Sequence, residues 1–294
     1  MGTTARSLPR TRPVTADRSW RLRQRLLAAG RYALLIGFLV VFLVPFVWYA
    51  SMALKTERQI AASPFGLPIP PAWDNLEQAW TLGRYSQYLP NTVVYAVAVI
   101  AGVCTFSCLS GYALARLTFP GRNLMFLLLL VGITVPFQSL MIPTYYLARD
   151  LNILGTRLGM IVPATAFGLS FGSFLMRAFF RGLPEEIADA ARVDGGSEWR
   201  VFRDVMLPLA RPGLATLATF SFLETWTAFL LPLVLVQRDE LRPVSLGLLF
   251  FTGRYSSDRG LIAAGVMFTI VPIILVYIAL QRKFIEGITA GALK

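Results

Sequence analysis

The chain has 294 residues, of which 55% are hydrophobic and only 15% are charged, and its mean hydropathy is +0.59. Soluble domains carry about 25% charged residues, so this composition argues against a soluble enzyme and indicates an all-α membrane protein. The net charge is +12. Because the basic residues lie between long apolar runs, they indicate the positive bias of cytoplasmic loops rather than nucleic-acid binding. Histidine is absent and only Cys104 and Cys108 are present, which argues against a His-based catalyst, a metal site and a disulfide framework.

Six apolar runs approach or exceed the roughly 20 residues that a helix needs to cross a bilayer. The first run is too long, and lies too far from the N-terminus, for a cleaved signal peptide. If the N-terminus is cytoplasmic, 19 of the 28 Lys and Arg residues fall on the cytoplasmic side, which predicts that both termini lie inside. We therefore expect membrane-spanning helices at residues 33–54, 90–115, 124–147, 158–180, 213–236 and 260–281.

The remaining segments have different compositions. Residues 1–32 are rich in Arg and are expected to form a cytoplasmic arm near anionic lipid headgroups. Residues 55–88 contain four prolines and are expected to form an ordered extracytoplasmic loop, with a short helix over Asp74–Trp80. The transmembrane core is expected at 89–281, followed by a cytoplasmic tail at 282–294.

The cytoplasmic loop at residues 181–212 carries helix signals of its own. Pro184 suits a first helical position, and Glu185 suits the positive end of the helix dipole. Gly195 provides a stop. These signals predict a first short helix in this loop.

A second short helix follows, for which Ser197 is the expected N-cap. Its apolar face, at helical spacing, comprises Trp199, Phe202, Val205 and Met206. The small-residue surface of the first helix fits a groove on a cytosolic partner. An amphipathic element resting on the chain's own helices or on the membrane surface fits the pattern equally well.

The same loop contains a motif with fixed spacings. Three residues separate Asp189-Ala190-Ala191 from Gly195. Nine residues separate Gly195 from Val205-Met206-Leu207-Pro208. This pattern resembles the "EAA" motif of permease subunits of ATP-binding-cassette (ABC) importers. Residues 135–143, 170–184 and 281–294 resemble the carbohydrate-importing, maltose-type branch, and most of all its smaller six-span permease.

This resemblance implies the type I ABC importer permease fold, with a cytoplasmic coupling helix between the fourth and fifth spans. It also implies a bacterial inner-membrane permease subunit without enzymatic activity of its own. Its partners would be a second permease, two cytosolic ATPase subunits and an extracytoplasmic solute-binding protein. The coupling helix would cover residues 186–195, and the expected coupling residues are Glu186, Asp189, Ala190, Ala191, Asp194, Gly195, Leu207 and Pro208.

The sequence lacks an ATP site of the Walker type, which needs a lysine preceded by glycine and followed by Ser or Thr. Its only lysines are Lys55, Lys283 and Lys294, and none follows a glycine. ATP would therefore be hydrolysed by partner subunits. The resemblance implies that the tail reaches between those ATPases, with Gly287, Thr289 and Gly291 as candidate contacts; a frayed C-terminus is the alternative.

Polar residues within the spans are candidates for the transport pathway. Glu224 lies near the middle of the fifth span, where a charge costs at least about 2.5–3.5 kcal/mol, so it is expected to line the pathway or to hold a hydrogen-bonded packing role. Trp226 could stack on a sugar ring or pack in the core. Gln138 and Asn91 are weaker candidates.

The leading hypothesis is thus a permease subunit of an ATP-driven importer of sugars or oligosaccharides. A permease for another solute, such as glycerol phosphate, is the nearest alternative, although no Lys or Arg lies in mid-span to bind an anion. A secondary transporter that uses Glu224 as a proton relay, and a membrane scaffold without transport, come from other functional classes.

Overall fold

The computed structural model describes the backbone of residues 18–251 and 258–292, and the side chains of residues 23–251, 258–279 and 281. This part of the chain is helical and contains no strand. It divides into two compact units, residues 1–49 and 50–294. In the first unit, side chains 23–47 are exposed although most are apolar, as expected of a helix that faces lipid.

Thirteen α-helices occur in the described residues. In chain order they are α1 Arg18–Ala53, α2 Glu57–Ala62, α3 Asp74–Leu82, α4 Tyr85–Arg116, α5 Arg122–Thr134, α6 Phe137–Asp150, α7 Arg157–Gly182, α8 Glu185–Val193, α9 Glu198–Arg200, α10 Leu207–Leu209, α11 Arg211–Thr227, α12 Leu230–Leu235 and α13 Arg259–Ala292. A π-helical segment, Val201–Met206, joins α9 to α10, and two 3₁₀ segments occupy Asp239–Leu241 and Val244–Phe251.

Four helices in the described part are long and apolar enough to cross a membrane by themselves: Arg23–Ala53, Tyr85–Arg116, Arg157–Gly182 and Arg259–Ala279. Two bent helix pairs bring the number to six if each pair is one span. One pair is α5 with α6, and the other joins residues 198–209 to α11. The expected all-helical architecture is therefore confirmed, and length and composition allow four to six spans in the described residues.

The expected span at 124–147 is formed by two helices with a bend between them. The axes of α5 and α6 meet at 105°. Pro136 lies at the bend and cannot donate a backbone hydrogen bond to the carbonyl of Gly132 four residues earlier. Val135, directly before the proline, is extended with φ −78° and ψ 118°, as the proline ring requires of its predecessor.

The helix that enters the expected span at 213–236 is also interrupted. It ends at Thr227, and the short helix α12 begins at Leu230. Pro232 cannot donate to the carbonyl of Ala228 four residues earlier, and Ala228 adopts an extended conformation with φ −57° and ψ 123°. The last helix is longer than expected. The backbone of α13 continues as helix to Ala292, through most of the expected tail.

The main packing contact joins α4 to α7. A Cβ atom at Gly172 would overlap the side chain of Ser107, and one at Gly111 would overlap Met176. Glycines at these points let the two backbones approach closely, as is common between membrane helices. The hydroxyls of Ser110 and Ser173 add a hydrogen bond of 2.7 Å across the same interface.

The segment at 55–88 is ordered and contains the expected short helix, since α3 begins at Asp74. Its fold is organised around Lys55, which is 1% exposed and donates from Nζ to the carbonyls of Ser63 and Pro64, both at 3.1 Å. The guanidinium of Arg259 binds the Glu57 carboxylate at 2.9 Å, which attaches this segment to the start of α13.

Candidate functional site

Local signals in the sequence set the bounds of α8. The helix starts after Pro184 and carries Glu185 and Glu186 in its first turn. It ends at Val193, two residues before the expected end of the coupling helix. Gly195 then adopts a left-handed φ of +81°, and the following residue, Gly196, donates its N–H to the Ala191 carbonyl at 3.0 Å.

The second half of the loop is helical as predicted, with a change in its winding. The Ser197 hydroxyl accepts from the Arg200 N–H at 3.4 Å, and the π-helical segment Val201–Met206 follows. Phe202 and Met206 are buried, whereas Trp199 is 58% exposed. The wider π turn, which pairs residue i with i+5, alters the angular spacing. Trp199 therefore lies at the edge of the buried face of this segment. Its ring contacts that of Phe202, with centroids 5.4 Å apart.

Helix α8 has one buried face and one open face. Ala188 is fully buried, and Ala191 packs on a cluster that includes Phe180, Val201 and Met206. The opposite face is exposed and holds the predicted coupling residues Glu186, Asp189 and Ala190; Asp194 and Gly195, which directly follow the helix, are exposed as well. Ala191, Leu207 and Pro208, also predicted as coupling residues, are partly buried. The sequence left open whether the loop packs on the chain's own helices or presents a surface to a partner. In the structure one side of α8 packs on the core and the other side is free.

A polar network that sequence reasoning missed fixes α8 in place. Arg192 donates to Asp189 at 2.6 Å and, from Nε, to Oε1 of Glu198 at 2.7 Å. The Tyr112 hydroxyl of α4 donates to Oε2 of the same Glu198 at 2.9 Å. The hydrogen bond with Glu198 raises the pKa of the Arg192 guanidinium above its usual value. At the adjoining end of α4, Arg116 donates to the carbonyls of Phe180 and Leu183.

A cavity of about 540 Å³ lies among α4, α7, α11 and the two helix breaks. Its volume falls in the range of about 300–1,000 Å³ that is typical of small-molecule sites. Its wall includes Val135 and Phe137 at the first break and residues 228–231 at the second. Non-helical backbone at membrane depth is tolerated where it is buried in protein or lines a cavity, which is the arrangement here. The polar side chains on the wall are Ser170, Ser221, Glu224 and Thr225, and the aromatic ones are Phe137, Phe167, Phe171 and Phe229.

Of the four candidate pathway residues, Glu224 lines this cavity. Trp226 is 4% exposed and donates from Nε1 to the Thr269 carbonyl at 3.1 Å. Gln138 is exposed near the start of α6. Asn91 is buried and donates from Nδ2 to the carbonyls of residues 240 and 242, at 2.7 and 3.1 Å.

The structure therefore does not bring the four candidates together. Sequence reasoning overlooked the other polar residues of the wall. Ser221, Glu224 and Thr225 are separated by three and four residues, so they share one face of α11. That spacing is a signal that could have identified two of them.

Comparison with known proteins gives the family. The model of the family "binding-protein-dependent transport system inner membrane component" matches residues 105–285. The chain belongs to this family. It is a permease component of an ABC importer and not an enzyme, as the resemblance of the 181–212 loop implied.

Two relatives illustrate the similarity. The chain is 35% identical to the diacetylchitobiose uptake system permease protein NgcG of Streptomyces coelicolor, with 92% of this chain and 90% of that protein covered. It is also 35% identical to the arabinooligosaccharides transport system permease protein AraQ of Halalkalibacterium halodurans, with coverage of 88% and 93%.

A solved structure establishes the fold. A chain of a bacterial ABC transporter involved in the import of the acidic polysaccharide alginate superposes with a TM-score of 0.77 at 23% identity, covering 91% of this chain and 98% of the other. The expected type I ABC importer permease fold is confirmed.

Proposed function

We propose that this chain is the permease subunit of an ATP-driven importer of neutral sugars or oligosaccharides. The observation that carries the choice of solute is the wall of the cavity. Among its described residues none is Lys or Arg, whereas hydroxyl groups and the Glu224 carboxylate lie beside four phenylalanines. Hydroxyl-rich rings with apolar faces suit such a wall. The names of the relatives, which refer to chitobiose and arabinooligosaccharides, support the same solute class.

An anionic solute such as glycerol phosphate fits this cavity less well. A phosphate is normally bound by Arg, Lys or a helix N-terminus. The only ionisable residue in the described wall is Glu224, which would repel an anion. In the proposed importer Glu224 lines the transport pathway and accepts hydrogen bonds from the solute.

The partners that we propose are those of a complete binding-protein-dependent importer. They are a second permease, which is a different chain, two cytosolic ATPase subunits and an extracytoplasmic solute-binding protein. ATP is then a cofactor of the ATPase subunits only. The complex lies in the bacterial inner membrane with both termini of this chain in the cytoplasm. We also propose that the Arg-rich arm 1–32 faces the lipid headgroups and that residues 55–88 face the binding protein. Residues 1–17 of the arm lie outside the described residues, and residues 18–32 form the first part of α1.

The 181–212 loop is the proposed link to the ATPase. The open face of α8 presents carboxylates beside small side chains, whereas its buried face holds the helix rigidly to the core. A rigid helix with one free face suits insertion into a cleft of a partner, where the helix moves as a body when the ATPases close. Gly287, Thr289 and Gly291 lie in the last turns of α13, and we assign them a second ATPase contact; their side chains lie outside the described residues.

The test begins with tagged purification in mild detergent and identification of the proteins that accompany this chain. We expect a second permease and a P-loop ATPase. Reconstitution of that complex in liposomes with its binding protein should give ATP-dependent uptake of neutral oligosaccharides. Uptake that persists with an inactive ATPase but stops when the proton gradient is removed would instead favour secondary transport.

A matched pair of substitutions tests the docking face. Gly195 and Gly121 have nearly the same left-handed φ, +81° and +80°, and open space surrounds the Cβ position of each. The backbone strain of a Trp is therefore similar at both sites. We expect Gly195→Trp to lose ATPase binding and uptake and Gly121→Trp to retain both. Equal losses in the two variants would count against docking at α8.

A further inference from the structure

The coupling loop is attached to a helix with which it is not contiguous in the chain. Helix α8 follows α7 directly and leads through residues 194–210 into α11, so these two helices are bound to it covalently. Helix α4 is not. Helix α4 reaches the loop by packing and by side-chain hydrogen bonds, and Tyr112 supplies the bond to the second half of the loop. Its hydroxyl donates to Glu198 at 2.9 Å, and its ring lies 5.5 Å from that of Phe180 and 5.0 Å from that of Phe202.

Glu198 uses its two carboxylate oxygens for two different elements. Oε1 accepts from Arg192 on α8 at 2.7 Å, and Oε2 accepts from Tyr112 on α4 at 2.9 Å. One side chain thereby joins the helix that is proposed to contact the ATPase to a helix of the membrane core. The same α4 carries Val99 and Val103, which line the cavity.

We propose that Glu198 is a positioning residue that makes α4 follow the movement of α8, so that the cavity wall formed by α4 responds to the ATPase. This inference rests on the proposed docking of α8 to an ATPase subunit. It names the contact by which a movement of α8 is transmitted to α4. Such a contact is needed because the chain connects α8 directly only to α7 and α11. Without the bridge, the apolar cluster still packs the loop against α4, but no hydrogen bond of Glu198 joins the two.

The bridge suits control of movement better than it suits stabilisation of the fold. The side chains of Arg192 and Glu198 are 32% and 48% exposed, and ion pairs with such exposure contribute little to stability. The apolar cluster around Phe202 and Met206 holds the loop in place independently. Variants that remove the bridge are therefore expected to fold and assemble, which makes the route testable.

The experiment uses the complete reconstituted transporter and measures the number of sugar molecules imported for each ATP hydrolysed, with N,N′-diacetylchitobiose and an arabinooligosaccharide as probes. Tyr112→Phe removes one hydroxyl from the bridge and leaves the pair of Arg192 with Glu198 intact. Glu198→Gln weakens both halves. We expect each variant to hydrolyse ATP at near the normal rate, and the ratio to fall about tenfold, the scale of one lost charged hydrogen bond.

Two control variants make the same chemical changes elsewhere. Tyr95→Phe removes another hydroxyl of α4, one that donates to the Leu241 carbonyl at 2.7 Å. Asp150→Asn removes an exposed carboxylate that pairs with its neighbour Arg149. Both should keep the normal ratio. A normal ratio in Tyr112→Phe, or an equal fall in Tyr95→Phe, would overturn the assignment of Glu198. A wild-type complex that fails to import either probe with ATP would count against the proposed function instead.

A distance measurement tests the movement itself. Spin labels at Val193 on α8 and Val97 on α4 occupy exposed positions, once Cys104 and Cys108 have been replaced by serine. If the two helices move together, the distance between the labels stays constant between nucleotide-free and ATP-bound complexes, and it changes in Tyr112→Phe. A distance that changes equally in the parent and in Tyr112→Phe would contradict the proposal.

Discussion

The hydroxyl of Ser245 donates a hydrogen bond of 2.6 Å to the carbonyl oxygen of Ala228. This carbonyl is the one that an unbroken helix would have paired with residue 232, which is a proline without an N–H. Ser245 comes from the 3₁₀ segment Val244–Phe251 and supplies the missing donor. The break that borders the cavity is therefore stabilised by a partner that lies 17 residues away in the chain.

Ser245→Ala should destabilise the protein, because it leaves a partly buried carbonyl at the break without this partner. Loss of one partner in such a position costs about 1–3 kcal/mol. We expect a lower unfolding temperature of the purified complex in thermal denaturation. Ser139→Ala, which changes an exposed serine near the start of α6, should leave the unfolding temperature nearly unchanged. An equal shift in both variants would contradict the role assigned to Ser245.

The two faces of α8 can be separated by one substitution made at two sites. Ala188 is fully buried against the core, whereas Ala190 is exposed on the face proposed to dock. Ala188→Leu should overpack the cluster at a cost of about 1–3 kcal/mol and lower the unfolding temperature of the isolated permease. Ala190→Leu should leave that temperature unchanged and weaken ATPase binding, measured by co-purification. Normal ATPase binding in Ala190→Leu would place the docking surface elsewhere.

The ion pair of Glu57 and Arg259 should make a pH-dependent contribution to stability. The hydrogen bond from Arg259 lowers the pKa of the Glu57 carboxyl below its usual value. A lowered pKa means that the unfolded chain binds the proton more tightly. The contribution is therefore present above the unfolded carboxyl pKa of about 4.3 and is lost as the pH falls through the lower pKa of the folded state.

Glu57→Gln tests this contribution. We expect the variant to be less stable than the parent at pH 7 by at most about 1 kcal/mol, since both side chains are partly exposed. The difference should disappear at acidic pH, where Glu57 of the parent is protonated. Glu77→Gln, at an exposed carboxylate of α3, serves as the control. A difference that stays constant over the whole pH range would mean that the ion pair is not its cause.

Glu224→Gln should reduce uptake of neutral oligosaccharides about tenfold, because a charged acceptor in the cavity is replaced by a neutral one of the same shape. If the carboxylate binds the solute, the loss appears under saturating binding protein and does not depend on the proton gradient. A proton relay would make uptake depend on that gradient. Glu240→Gln makes the same change at an exposed residue outside the cavity and should transport normally. Unchanged uptake in Glu224→Gln would indicate a packing role.

The sequence predicted the features that depend on neighbouring residues. The bounds of α8 follow from Pro184, Glu185 and Gly195, because a helix end is determined by the few residues around it. The positions of the apolar spans follow from composition in the same way. The type I fold was implied by the resemblance of this loop to the EAA motif of a known family, and that motif is likewise local to one loop.

Features that depend on distant partners were not predictable. Pro136 and Pro232 accompany breaks, whereas Pro90, Pro163 and Pro272 lie inside helices that continue. A proline alone therefore does not decide between a kink and a break. At the second break the freed carbonyl of Ala228 accepts from Ser245, a contact that the residues around Pro232 do not predict.

The candidate site shows the same division. Glu224 was recognised because a charge within an apolar span is conspicuous in the sequence itself. The bond of Tyr112 with Glu198 joins residues 86 positions apart, and the bonds of Asn91 join it to residues about 150 positions away. Only the packed structure reveals which polar side chains meet, so Asn91 was named as a weaker pathway candidate and Tyr112 was not considered.

Helix α4 is held at both of its ends. Near its start, Asn91 and Tyr95 donate to the backbone of residues 240–242, and Tyr112 binds Glu198 near its end. Its 32 residues extend over about 48 Å at 1.5 Å each, more than the thickness of the hydrocarbon layer. Binding at the two ends is then thermodynamically reciprocal. If docking at α8 shifts α4, it changes the affinity of a second partner that binds at residues 240–242. That second partner then changes the affinity of α8 for its own partner by the same factor.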